Sequence, residues 1–495
     1  MNASLSLLRF QKWPAFTGFL EILFLTAGIL AGSFTLERFF DFPDFIPSVF
    51  LDIRTLGLIA FAVVWGYRRY MGWEEGRIRK TEHWSLVSLL ALGALFIYML
   101  IGNATIWEKP AGPSAFYPLA FTILYSIAAL LCIDRIEKVY LMAKIGISLI
   151  AAVTLTVFVI GEFSKESLTM MPMVSPFFFS RSALVCFAFS LFLFRDEWLN
   201  NRSWPKAAFY AACAILFIYV GLLTYQRSSL VFYSLVAFGV LMVLAARREY
   251  TVAGAMLATV IAGYSLAFVF IGNSLVSRIV YHSPAHVSVG GGAGTTNDLG
   301  KEIVHCPKDM TLANNVLCGF DAQKIKECMD HLKAIPGLDT KLRSNITPET
   351  CRSAVLLNDS DARIRLIYMA VSDTPSKLFG KGLDSFYFAQ FDPREKKTSV
   401  YFYPHSIFFG VYHDTGLIGL GLLILAVSSI LILGLRIIVL GPSSAIILLI
   451  IPLYYLLTSL ISGDLYDARF LWFIPIMIRN CILKSIPLSS TKDNA

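Results

Sequence analysis

Charged residues are scarce in this chain, and their scarcity indicates its class. Only 15% of the 495 residues are Asp, Glu, Lys or Arg, and 56% are hydrophobic, whereas about a quarter of a soluble domain is charged. The charges fall in short clusters between apolar runs of about 18–24 residues, long enough to cross the hydrocarbon core of a bilayer. The composition excludes an ordinary soluble enzyme and predicts an all-α polytopic membrane protein.

Nucleotide- and zinc-binding patterns are also missing. The chain has no GxxxxGK[ST] phosphate loop, no GxGxxG after a strand and no CxxC pair. We therefore expect no cofactor, and the energy for any reaction must come with the substrate or from a gradient. The net charge of +8 does not indicate nucleic-acid binding, because much of it lies in short loops, where it sets membrane orientation.

Twelve spans are predicted. Their centres lie near residues 25, 57, 93, 124, 150, 185, 215, 237, 261, 426, 451 and 474. The second is the weakest, because Asp52 and Arg54 fall in its first turns. Basic clusters follow the second, sixth and eighth spans, at Arg68, Arg195 and Arg247. Short basic loops remain in the cytoplasm, so both termini are predicted to be cytoplasmic.

This topology divides the chain into four parts. Residues 1–272 form nine spans, 273–404 a large loop outside the cytoplasm, 405–484 three further spans, and 485–495 a cytoplasmic tail. Half of the eight cysteines lie in the loop: Cys306, Cys318, Cys328 and Cys351. Thiols clustered on the oxidising side predict two disulfides, whose pairing the sequence leaves open among three arrangements.

A histidine lies where the loop returns to the membrane. The segment Tyr403-Pro404-His405-Ser406 precedes the tenth span, and Asp414 follows within that span. An imidazole at this boundary can accept a proton near neutral pH. The simpler interpretation of His405 is a hydrogen-bonded helix cap, and Asp414 either orients an imidazole or caps the span.

Arginines recur at the predicted outer ends of the spans. Arg181 lies near the start of the sixth span, Arg227 in the tight turn before the eighth, and Arg469 at the start of the twelfth; Arg363 and Arg365 lie in the loop. Guanidinium groups bind phosphate oxygens bidentately, so their convergence would suit a diphosphate. Simpler interpretations are an interfacial anchor for Arg181 and Arg227, a solvated helix face for Arg363 or Arg365, and an ion pair with Asp467 for Arg469.

Taken in order, these segments resemble the O-antigen ligase family, whose relatives include O-antigen polymerases and protein O-oligosaccharyltransferases. The turn 224–229 resembles the family's Ser-Arg turn. The loop segment resembles its arginine, aromatic and glycine-x-glycine pattern through Arg363 or Arg365, Tyr368, Gly380 and Gly382. Residues 404–406 with 414–419 resemble its histidine followed by an acidic-Thr-Gly-Leu-x-Gly segment.

The resemblance implies a GT-C-like fold and a metal-independent, inverting glycosyltransferase in the bacterial inner membrane. Its donor would be a glycan on undecaprenyl diphosphate at the periplasmic face. By this resemblance His405 is the catalytic base, and Arg227 binds the diphosphate together with Arg181 and with Arg363 or Arg365. Asp414, Tyr368, Gly380, Gly382 and Arg469 support the site.

Three functions stay open. A ligase would transfer the glycan to lipid A-core, and a polymerase would extend another lipid-linked chain. A transporter would show broken helices in paired halves, whereas we expect mostly uninterrupted spans. The partners implied are the lipid-linked donor, a lipid or glycan acceptor and membrane lipids, with other polysaccharide assembly proteins as a further class.

Overall fold

The structure is a computed structural model of the chain. It describes residues 2–30, 52–71, 83–107, 111–160, 176–223, 227–281, 366–367, 370–372, 374, 376–383, 385–386, 388–392, 397–401, 404, 406–461 and 469–485.

Thirteen α-helices make up nearly all of the described part of the chain. They are α1 (Asn2–Leu30), α2 (Ile53–Tyr70), α3 (His83–Ile101), α4 (Tyr117–Cys132), α5 (Ile136–Ile160), α6 (Pro176–Leu199), α7 (Trp204–Leu223), α8 (Arg227–Ala246), α9 (Tyr250–Tyr281), α10 (Ile407–Leu440), α11 (Ser443–Leu448), α12 (Ile450–Ile461) and α13 (Arg469–Ser485). A π-helical turn (Gly102–Ile106) extends α3, and a 3-10 turn (Pro113–Phe116) leads into α4.

All twelve predicted span centres fall within these helices. The eleventh predicted span corresponds to α11 and α12 together. Among the described residues, five helices are long and apolar enough to cross a membrane. They include His83–Ile106 and Ile407–Val439; four shorter apolar helices accompany them. The chain is therefore a multi-pass, helical membrane protein.

The first two helices pack closely against each other. A Cβ on Gly57 would lie 2.8 Å from the Cα of Gly28, so the backbones nearly touch, as small residues allow in membrane helices. Further along the pair, Arg68 Nε lies 3.0 Å from Glu21 Oε2, and both residues are buried. A charge on α1 is thus balanced by a charge on α2.

Five helices, α2, α6, α8, α10 and α13, begin at the same end of the bundle. Short connections alternate the chain direction, and only residues 224–226 separate α7 from α8. Tyr233, near the start of α8, donates to the carbonyl of Ser180 near the start of α6. At the opposite end, a Cβ on Gly441, the C-cap of α10, would lie 3.3 Å from Ile482 near the end of α13.

The chain re-enters the bundle through a small apolar cluster and a hairpin. Leu366, Ala370 and Phe386 are buried together against Phe409, in the first turn of α10. Strands β1 (Phe388–Asp392) and β2 (Lys397–Tyr401) pair antiparallel, with Phe388 opposite Tyr401. The sequence did not predict this hairpin, which leads directly into α10.

Candidate functional site

Arginines lie in the first or second turn of several helices that begin at the same end. Arg54 is the second residue of α2 and Arg181 the sixth of α6, while Arg227 begins α8 and Arg469 begins α13. Helix N-termini carry unsatisfied N–H groups and partial positive charge. Guanidinium groups and helix dipoles therefore add at this end to a positive potential that favours an anion.

Arg181 is buried between α6 and α12. Its guanidinium hydrogen-bonds the phenol of Tyr454 and acts electrostatically on the neighbouring phenol of Tyr455. Tyr455 stacks on Phe470 of α13, with ring centroids 4.9 Å apart. Aromatic rings thus hold Arg181 beside the start of α13.

Arg469 and Arg54 approach the same region from α13 and α2. Arg469 Nε donates to the carbonyl of Ile29 at 2.9 Å. Arg54 forms an ion pair with Asp52 and lies over the ring of Phe121, with Cζ 5.2 Å from its centroid. Arg469 interacts electrostatically with both Arg54 and Tyr455.

Arg54 and Arg469 are therefore neighbours, and Arg181 is linked to Arg469 through Tyr455, which interacts with both; the three buried arginines are here named the arginine cluster. Asp52 forms an ion pair with Arg54. Guanidinium groups bind phosphate oxygens bidentately, so the residues of the cluster are chemically suited to a polyanionic ligand. Arg54 was not among the predicted site residues, although Asp52 two residues earlier could have shown that its charge is tolerated at a span end.

The second feature of this end is a break in α10. Gly416 has φ 68° and ψ −161°, and the helix is interrupted there. The turn of residues 377–382 fills the break with four backbone hydrogen bonds. Lys381 and Gly382 donate to the carbonyls of His413 and Asp414 at 2.8 and 3.0 Å, and Leu417 and Ile418 donate to Lys377 and Leu378 at 2.8 and 3.4 Å. The turn and the break form one unit, here named the glycine lock.

Only glycine fits at the centre of the lock. A Cβ on Gly416 would lie 2.4 Å from the carbonyl of Leu378, and one on Gly380 would lie 2.5 Å from that of Asp414. Both positions have positive φ, as does Gly382, a conformation that glycine adopts without strain. The predicted glycine-x-glycine turn and the predicted acidic-Thr-Gly segment are thus in direct contact.

The end of α3 forms the other wall of the lock. Trp107 Nε1 donates to the carbonyl of Phe379 at 3.0 Å, and the hydroxyl of Tyr98 donates to the same oxygen at 3.3 Å. Asn103 holds the chain after Trp107 by bonding both backbone groups of Ala111. The turn is therefore clamped between α3 and α10.

Replacing Trp107 with phenylalanine is expected to destabilise the protein by about 1 kcal/mol, because the indole donor to Phe379 is lost while the aromatic ring remains. Thermal unfolding in detergent measures the effect. Trp204→Phe is the matched control, because Trp204 is exposed outside the lock. Equal stability of the two variants would show that the indole bond contributes nothing.

Asp414 lies within α10, two residues before the break. Its Oδ1 is 3.0 Å from Nδ1 of His413, and the His413 ring is fully buried edge-on against Phe386, 5.2 Å between centroids. Asp414 therefore orients the buried imidazole of His413 and does not cap the start of α10, whose N-cap is Ser406.

Several predicted site residues lie outside the described residues. They are His405, Arg363, Arg365, Tyr368 and the loop cysteines Cys306, Cys318, Cys328 and Cys351. Arg227 is described as the first residue of α8 and not further. In the part of the chain that the structure covers, no three His, Cys, Asp or Glu side chains are grouped to hold a metal, and Cys132, Cys186, Cys213 and Cys481 are buried.

No protein-family model matches this chain, and a search of curated proteins finds no match.

Proposed function

We propose that this protein is a metal-independent, inverting glycosyltransferase of the bacterial inner membrane. It transfers a glycan from undecaprenyl diphosphate to an acceptor hydroxyl at the periplasmic face. In this proposal the chain crosses the membrane twelve times in a GT-C-like arrangement, with both termini in the cytoplasm. The observation that carries the proposal is the arginine cluster at the end where alternate helices begin.

The arginine cluster supports a diphosphate leaving group. As the glycosidic C–O bond breaks, negative charge develops on the diphosphate oxygens, and fixed guanidinium groups stabilise this charge without reorganising. Arg227 begins α8 at the same end and joins Arg54, Arg181 and Arg469 in this role. Arg363 or Arg365 completes the clamp from the loop.

His405 acts on the acceptor. Its imidazole takes the proton of the acceptor hydroxyl as the oxygen attacks the anomeric carbon from the face opposite the diphosphate. The new C–O bond forms as the bond to the diphosphate breaks, so the anomeric configuration inverts and the electron pair leaves with undecaprenyl diphosphate.

The glycine lock supports the same assignment. It joins the two segments that resemble the O-antigen ligase family, although about thirty residues separate them in sequence. Position 405 lies only two residues before α10 in sequence, so in this proposal the base precedes the helix that the lock interrupts. We propose lipid A-core as the acceptor, with a second lipid-linked glycan as the polymerase alternative.

A transporter is the second candidate, because α10 is interrupted at Gly416 and the eleventh predicted span is divided at Leu449. These two interruptions depart from the mostly uninterrupted spans that the sequence predicts. Discontinuous membrane helices are common at transporter binding sites. A transporter would move the lipid-linked glycan between leaflets without extending any acceptor.

Proteoliposomes containing purified protein and lipid-linked glycan test these functions. Transfer to lipid A-core, with activity unchanged by EDTA, is the expected result; extension of a second lipid-linked glycan would identify a polymerase. Translocation without a new glycosidic bond would identify a transporter, and strong inhibition by EDTA would refute the metal-independent mechanism.

Arg181→Lys is expected to lower kcat/KM by about 10- to 100-fold, because an ammonium group cannot make the two parallel charged hydrogen bonds that a guanidinium group makes to phosphate oxygens. Arg436→Lys is the control, because Arg436 lies exposed in the second half of α10, with its Cζ 6.0 Å from the ring centroid of Trp84. If both variants keep wild-type kcat/KM, Arg181 does not bind the diphosphate.

A further inference from the structure

The outward surface of the glycine lock is apolar and exposed. Leu378 and Phe379 are 48% and 39% exposed, and Lys377 beside them is exposed as well. The lock uses the backbone of these residues, including the carbonyls of Leu378 and Phe379. Their side chains are therefore not required to form the turn.

Helix lengths place this surface at a membrane boundary. The 33 residues Ile407–Val439 would extend about 50 Å as one helix, well beyond a hydrocarbon core of about 30 Å. The portion after Gly416 alone is about 34 Å long, enough for one crossing. The break at Gly416 therefore lies near the edge of the hydrocarbon.

The neighbouring residues agree with this depth. Tyr98 and Trp107 contact the turn at the end of the span His83–Ile106, and such amphipathic rings are enriched at membrane interfaces. Leu417, whose backbone N–H donates to the carbonyl of Lys377, is 52% exposed on α10. The apolar surface of the turn thus continues the surface of the bundle.

We propose that Lys377, Leu378 and Phe379 form a membrane-interface contact, with the two apolar side chains among phospholipid acyl chains and the ammonium group on a lipid phosphate. The occupant is the phospholipid of the leaflet at this end. Because the turn is hydrogen-bonded into α10, this contact couples the leaflet to the conformation of the break at Gly416. The inference does not depend on the proposed function.

A fluorescent amino acid at position 379 tests the contact. Acridonylalanine is inserted there in the full-length chain, which is reconstituted in mixed phosphatidylcholine–phosphatidylglycerol vesicles, and is quenched either by nitroxide on lipid acyl chains or by a water-soluble nitroxide. We expect the acyl-chain quencher to be the stronger at position 379. At Val371, which is similarly exposed in the preceding helical segment, we expect the aqueous quencher to be the stronger.

The other outcomes overturn the proposal. Stronger aqueous quenching at position 379 would place the turn in water, and protection from both quenchers would show that protein covers it. Acridonylalanine at position 378 must also be quenched more strongly from the acyl chains than from water. This agreement excludes a local effect of either substitution.

The lysine is tested in the same assay with nitroxide-labelled phosphatidylglycerol and phosphatidylcholine. Lys377→Gln is expected to reduce the preference for phosphatidylglycerol at position 379 by up to about fivefold. Lys206→Gln, an exposed lysine of α7 at the opposite end, is expected to leave the preference unchanged. An unchanged preference in Lys377→Gln would remove the lipid phosphate from the proposal.

Discussion

Gly416→Ala is expected to destabilise the folded protein by at least about 3 kcal/mol, because a side chain there is strained and the hydrogen bonds of the lock are lost. The new Cβ would lie 2.4 Å from the carbonyl of Leu378 and 2.6 Å from the amide of Gly380. Neither atom belongs to a flexible side chain, so one backbone must move. The measurement is the fraction of purified protein that remains monodisperse after heating in detergent.

The same helix supplies the control. A Cβ on Gly421 would meet nothing within 4 Å, and alanine is favoured over glycine inside a helix by about 1 kcal/mol. Gly421→Ala should be as stable as wild type or more so. Gly380→Ala combined with Gly416→Ala should cost less than the two single changes added together, because both disrupt the same contact. Full additivity would mean that the turn and the break are independent.

His405→Ala is expected to lower glycan transfer by about 100- to 10,000-fold, the usual contribution of a general base. The protein should still fold, because position 405 precedes the first residue of α10. Transfer by the wild type should be lower at acidic pH, where a protonated imidazole cannot accept the proton of the acceptor hydroxyl, and the variant should lack this dependence.

Two controls separate catalysis from folding. His83→Ala removes an exposed histidine at the start of α3 and should leave transfer unchanged. Binding of the lipid-linked donor should persist in His405→Ala, because the proposal assigns the diphosphate to the arginines and not to His405. Normal transfer by His405→Ala would eliminate His405 as the base and require another group to take the acceptor proton.

The positions of the helices could be predicted because an apolar run is a local feature of the sequence, although only five of the described helices are long and apolar enough to cross a membrane. The break in α10 could not. Gly416, Gly421 and Gly434 look alike within one apolar run, and only Gly416 meets the backbone of a distant turn. The resemblance of short segments indicated that residues 380–382 and 414–419 matter, but their mutual contact is a property of the folded chain.

Arg54 is a residue whose role the sequence hid because its charge argued against a span. Its charge and that of Asp52 weakened the prediction of the second span, since isolated charges oppose insertion. In the structure the two side chains form an ion pair at the helix start. Arg54 therefore sits at the span end with Arg469. The same two charges that weakened the prediction of the second span thus mark, in the folded chain, the position of one arginine of the cluster.

The ion pair between Glu21 and Arg68 has a consequence for biogenesis. A lone carboxylate in an inserting helix opposes entry into lipid by up to about 3 kcal/mol, and the compensating guanidinium is synthesised only 47 residues later. We therefore expect α1 to insert more readily once α2 supplies Arg68, so that the two helices enter the bilayer as a hairpin.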